Sequence, residues 1–109
     1  MSVSISIENP ISSEEDEFYF PLATESFFYN VWVKGAIALN LKLIPFLGNG
    51  FEINKEEWVV LKQEIKQIIL WANDNLDSKI RDELCVRANL VMDNLDCIFK
   101  RDDAIVSFG

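Results

Sequence analysis

A chain of 109 residues, half of them hydrophobic and including eight Phe and three Trp, has the apolar content for one domain around one core. It contains no histidine, which excludes Ser-His-Asp and Cys-His catalysis, His-ligated metals and the usual general base near neutral pH. A net charge of −8 disfavours direct nucleic-acid binding, because phosphate contacts need a basic surface, and favours a basic protein partner.

The charge is unevenly placed. Glu8, Glu14, Glu15, Asp16, Glu17 and Glu25 all precede the first basic residue, Lys34, whereas the rest of the chain is nearly balanced. There is no run of ~18 apolar residues that would span a membrane. The opening MSVSISIENP has neither a basic n-region nor an apolar h-region, so no signal peptide and a cytoplasmic location are expected. Cys85 and Cys97 fall on one predicted helix, roughly 18 Å apart at the helical rise, and are expected to be free thiols.

In chain order, Val3, Ile5 and Ile7 alternate with serines, the period of a half-buried strand, which Asn9-Pro10 ends. Residues 10–22 read as an acidic–aromatic loop, in which Glu14-Glu15-Asp16-Glu17 runs directly into Phe18-Tyr19-Phe20. Such a segment is either a solvated loop whose aromatics tuck onto the core, or a surface whose carboxylates steer a basic partner while the aromatics anchor it. Clustered carboxylates also suit Ca²⁺, but the EF-hand spacing and its central Gly are missing. Thr24 suits an N-cap for a helix over 25–40, apolar nearly all round, with Gly35 marking a close approach to a sheet.

Residues 41–54 predict a β-hairpin. Gly48-Asn49-Gly50 separates Lys42–Leu47 from Phe51–Asn54, and a Gly48-Asn49 turn sets Phe46 opposite Phe51 and Ile44 opposite Ile53. An Asn49-Gly50 turn would slide the pairs but keep those residues on one face, and a three-residue loop would set Phe46 opposite Glu52 and mix the faces. Pro45 marks the first strand as an edge, or as bulged there. A glycine-rich turn followed by a strand matches neither a P-loop nor a dinucleotide fingerprint. Asn54 then caps a second helix with Glu57 as its capping-box partner, and Ile53 and Trp58 form a hydrophobic staple.

That helix, about 55–73, is expected to bury Trp58, Leu61, Ile65, Ile68, Ile69 and Ala72 on one face. Val60 and Trp71 fall on the opposite, polar face with Glu64 and Gln67, and so are either covered by another element or form a contact patch. A third helix over 78–99, capped by Asp77 or Ser78, makes 55–99 an antiparallel helical hairpin. Residues 104–108 read as a last strand. Paired carboxylates (Asp93/Asp96, Glu57/Glu64) are explained by solvated helix faces, and the Glu-x-x-His motif of a di-metal bundle is impossible here.

These elements predict a single α+β domain over 1–109 in the order β-α-β-β-α-α-β. Its small mixed or antiparallel sheet is built on the hairpin, with helices packed on one face and the first strand beside the hairpin. In size, single-domain α+β layout, acid excess and the run Glu14–Phe20, the chain resembles the small acidic bacterial immunity proteins that neutralise a partner toxin. That resemblance implies a non-enzymatic protein needing no metal or cofactor. It would occlude its partner: Glu14, Glu15, Asp16 and Glu17 would pair with Lys or Arg in the toxin's nucleic-acid-binding cleft, while Phe18 and Tyr19 supply buried area. A second reading is a homodimer through the edge strand Lys42–Leu47 or the Val60/Trp71 patch. A third is a small-ligand or carboxylate-based enzyme site under Phe18–Phe20 and Trp32.

Overall fold

A computed structural model describes residues 2–109. Strand β1 (Ser2–Ile7) is followed by a short helix α1 (Ser13–Glu17) and strand β2 (Phe20–Thr24). One continuous helical stretch comes next: α2 (Glu25–Phe27), a π-helical segment (Phe28–Val33) and α3 (Lys34–Ala38). A 3₁₀ segment (Ile44–Asn49) leads to β3 (Phe51–Ile53). The long helices α4 (Lys55–Asn75) and α5 (Ser78–Ile98) precede the last strand, β4 (Val106–Phe108).

The fold is α+β. Its sheet is antiparallel, in the order β2-β1-β4-β3. Period-two alternation sorts its faces. Ile5 pairs with Phe20 on one side and Phe108 on the other, and Phe108 pairs with Phe51, so one aromatic-rich row crosses the sheet. Ile7, Val106 and Ile53 make a second buried row. The helices cover this face, and Ser4, Ser6, Ser107 and Glu52 lie on the other. Pro21, which has no N–H to donate, sits in edge strand β2, where a bulge turns Leu22 into the core.

Two expectations about the sheet are corrected. The 10–22 segment is not wholly loop: it holds α1 and the start of β2. The hairpin over 41–54 is absent, because Ile44–Asn49 is 3₁₀ and β3 pairs only with β4. The last strand therefore takes the central place beside β1 that the hairpin was expected to fill.

The cause lies twenty residues away. Glu64, only 6% exposed, aims its carboxylate at the start of the 3₁₀ segment. It accepts from the backbone N–H groups of Lys42 (3.2 Å), Leu43 (3.0 Å) and Ile44 (3.0 Å). These are the donors a helix start leaves unpaired, and one buried carboxylate satisfies all three. Pro45 fits this first turn, where its missing N–H costs nothing, and Gly50 closes the segment at φ 75°. Phe46 and Phe51 do meet, with ring centroids 6.3 Å apart, but across a turn rather than a ladder.

The helix boundaries follow local chemistry. Thr24 Oγ1 accepts from the Phe27 N–H at 3.1 Å, as expected of the cap. The π segment falls on FYNVWV, where aromatic and β-branched side chains crowd the turn, and it buries Phe28, Val31 and Trp32. α3 ends in a Schellman motif: Asn40 is left-handed (φ 58°), the Leu41 N–H reaches Ala36 O (2.8 Å) and the Asn40 N–H reaches Ile37 O (3.1 Å). The Asn54–Glu57 capping box forms in both directions, at 2.9 and 3.0 Å, and the staple residues Ile53 and Trp58 are buried. α4 and α5 make the expected antiparallel hairpin, with Trp58 stacked on Phe99 at 6.0 Å.

Gly35 approaches a helix rather than the sheet. A Cβ there would lie 2.7 Å from Cε3 of Trp71 and 3.0 Å from Cδ1 of Ile68.

Candidate partner-binding surface

The acidic run is ordered. Ser12 caps α1 by accepting from the Glu15 N–H at 3.2 Å, and Glu14, Glu15 and Asp16 occupy the first turn, where the helix dipole favours acid. Glu15 turns inward. Its Oε1 accepts from Arg101 Nη2 at 2.8 Å in a largely shielded ion pair. Arg101 also donates to Asn9 O (2.7 Å) and to Asp103 Oδ1 (3.0 Å). Asn9 completes the junction, accepting from the Ile105 N–H (2.8 Å) and donating to Asp103 O (2.7 Å). α1 is thus fastened to the turn between α5 and β4.

This leaves Glu14, Asp16 and Glu17 exposed, with no ion pair among the described residues. Phe18 ends the helix and packs, half-buried, against the core. Tyr19 points away from the core and is 62% exposed. Of the nominated aromatics, Tyr19 is the free anchor and Phe18 its support.

Val60 and Trp71 sit elsewhere, on α4. Trp71 is half-buried, covered by α3 at Gly35, and Val60 is 52% exposed. Residues 42–47 are not a strand and so offer no edge for self-association, while α3 takes up part of Trp71 and leaves Val60 exposed. The proposed pocket beneath Phe18–Phe20 and Trp32 is filled. Trp32 is wholly buried, Phe18 and Phe20 pack on the core, and Arg87 lies over the Phe20 ring at 5.8 Å while donating to Pro21 O.

Three of the four paired carboxylates have a structural task, and Asp93 stays at the surface with no ion pair among the described residues. Glu57 belongs to the capping box and Glu64 clamps the 3₁₀ segment. Asp96 accepts from Lys62 Nζ (2.7 Å) and from the buried Trp58 indole (2.9 Å). The Lys62 hydrogen bond is the main reason its carboxyl is held below the ordinary aspartate value, with Trp58 adding to it against the opposing effect of burial. A depressed folded-state pKa gives stability that is present above the unfolded value and lost as pH falls through the folded one. Asp96→Asn is therefore expected to cost about 1 kcal/mol at neutral pH, discounted for exposure. It should also flatten the stability loss below about pH 4. Urea midpoints on either side of that pH check both effects.

Two of the residues that build this geometry have partners far along the chain. Arg101 reaches Asn9 and Glu15, 92 and 86 residues away, so no local signal joins them, and Glu64, expected on a solvated helix face, is buried. The signal near Glu64 is the apolar Trp71 on its face, which α3 covers at Gly35, whereas Val60 on the same face stays exposed. The chain matches no family model, no curated protein and no solved structure.

Proposed function

We propose that this chain is a non-enzymatic protein-binding module whose α1 face docks on a basic surface of another protein, in the manner of an immunity-type inhibitor occluding a toxin's nucleic-acid-binding cleft. The observation that carries this reading is the division of labour in the acidic run. Glu15 is spent internally on Arg101, and that bond fixes α1 while Glu14, Asp16 and Glu17 stay unpaired at the surface. A helix already held in place costs little ordering entropy when a partner arrives. Three uncompensated carboxylates raise the association rate with a basic partner, and an exposed tyrosine beside them offers a rigid aromatic anchor.

The test is affinity capture from a lysate of the source cell, run in parallel with wild-type protein, with the triple variant Glu14→Lys/Asp16→Lys/Glu17→Lys and with Tyr19→Ala. Because all four positions are exposed, the variants should fold. Any basic partner retained by wild type should bind the triple variant at least about tenfold more weakly. Capture of no basic protein, or equal retention by the charge-reversed variant, would remove the proposal.

A further inference from the structure

The solvent side of the α4–α5 hairpin differs from the rest of this acidic molecule. Between Trp58 and Asn73 the only charged side chains α4 presents outward are Lys62 and Lys66, since Glu64 is buried. Between Cys85 and Phe99 α5 presents only Asp93 and Asp96 on this face, since Arg87 turns away to the Phe20 ring and Pro21 O. Interleaved with them are Val59 and Leu70 on α4 and Val86 and Leu90 on α5, each between 42% and 65% exposed. The face is therefore apolar and electrically balanced, with its positive half on one helix and its negative half on the other. Lys62 and Asp96 already pair within the chain at 2.7 Å, whereas Lys66 and Asp93 have no ion-pair partner among the described residues.

We propose that this face docks a second copy of the chain, hairpin against hairpin, about a two-fold axis running parallel to the helices. Such an axis lays α4 of each copy over α5 of the other. The Lys62–Asp96 bond fixes the levels. Lys66 is one turn further along α4 and Asp93 one turn back along α5, so Lys66 of one copy meets Asp93 of the second copy. By the same register Leu70 meets Val86 and Leu90, and Val59 comes to the level of Cys97. Every contact occurs twice and each charge finds its opposite, which is what a second copy of a protein of charge −8 requires. Two helices of 21 residues give a face about 30 Å long and about 20 Å wide, the scale of one side of a stable interface. The α1 surface lies outside this contact, so dimer formation and partner binding are separable.

Sedimentation velocity on the intact chain tests the proposal. Wild type should be dimeric at about 100 µM. Lys66→Asp and Asp93→Lys should each raise the dimer dissociation constant at least about tenfold, because each places like charges opposite one another twice. The combined swap should restore the dimer, which general damage to the fold would not do. Val59→Cys should cross-link to the native Cys97 of the second copy under mild oxidation. A wild-type monomer at that concentration, a dimer indifferent to both reversals, or a double swap no better than the single ones would overturn the proposal.

Discussion

Replacing Glu64 with alanine is expected to destabilise the protein by about 3 kcal/mol, since a buried donor left unpaired costs about 1–3 kcal/mol. Three backbone N–H groups lose their acceptor at once. Ile44 is wholly buried, so its N–H has no access to water, while Lys42 and Leu43 lie nearer the surface and recover part of the loss. Glu64→Gln keeps one carbonyl oxygen in nearly the same volume and is expected to cost about half as much. Urea denaturation orders the two variants, and amide exchange at residues 42–44 locates the damage. Equal losses in both, with exchange at 42–44 unchanged, would mean that Glu64 fills space rather than clamps the chain.

The second large effect is steric. Any side chain at Gly35 enters the space of the Trp71 ring, 2.7 Å from the position a Cβ would take. Gly35→Ala gains about 1 kcal/mol of helix propensity, which offsets part of an overpacking cost of about 1–3 kcal/mol. Gly35→Val adds further volume and a poorer helix former, and should cost about 3 kcal/mol. Trimming the opposing ring provides the control. In Gly35→Ala/Trp71→Leu the loss should be smaller than the sum of the single variants by about 1 kcal/mol, the coupling expected of residues in contact. Additive losses would show that the α3–α4 contact is looser than its geometry.

Local chemistry was legible where short-range bonds decide it. The Thr24 cap, the Asn54–Glu57 box, the Ile53/Trp58 staple and the period-two burial of β1 all depend on residues within a few positions of one another, and all are present. The hairpin failed for the opposite reason. Gly48-Asn49-Gly50 and Pro45 suit a turn between strands, but they suit a short 3₁₀ segment equally well. What decides between them is Glu64, together with a better partner for β3: Val106 and Phe108 oppose Ile53 and Phe51 in the sheet. The Glu64 bonds span twenty residues or more and the strand pairing more than fifty, so no short window of the sequence displays them. Pro21 similarly hid β2, because an edge strand with a bulge tolerates a residue that a central strand would not.

The surface nominated from sequence changed less than its support. The unbalanced charge before Lys34 pointed to Glu14–Tyr19, and the fold adds a division among those residues. Glu15 and Phe18 are inward and structural, whereas Glu14, Asp16, Glu17 and Tyr19 are outward and free. Arg101 makes that division, and it joins α1 to the bend after β1 and to the turn before β4 across most of the chain length. Val60 and Trp71, the other nominated pair, resolve differently: Trp71 is explained by its contact with Gly35, and Val60 is an exposed residue beside the clamp.

The claim that the free carboxylates of α1 carry partner recognition is tested most directly by the salt dependence of the captured partner's dissociation constant, measured for wild type and for Glu14→Lys/Asp16→Lys/Glu17→Lys between about 0.05 M and about 0.5 M salt. Wild-type binding should weaken steeply across that range, and the variant should start at least about tenfold weaker with a much shallower slope. Wild type and variant lines that coincide at every salt concentration would contradict it.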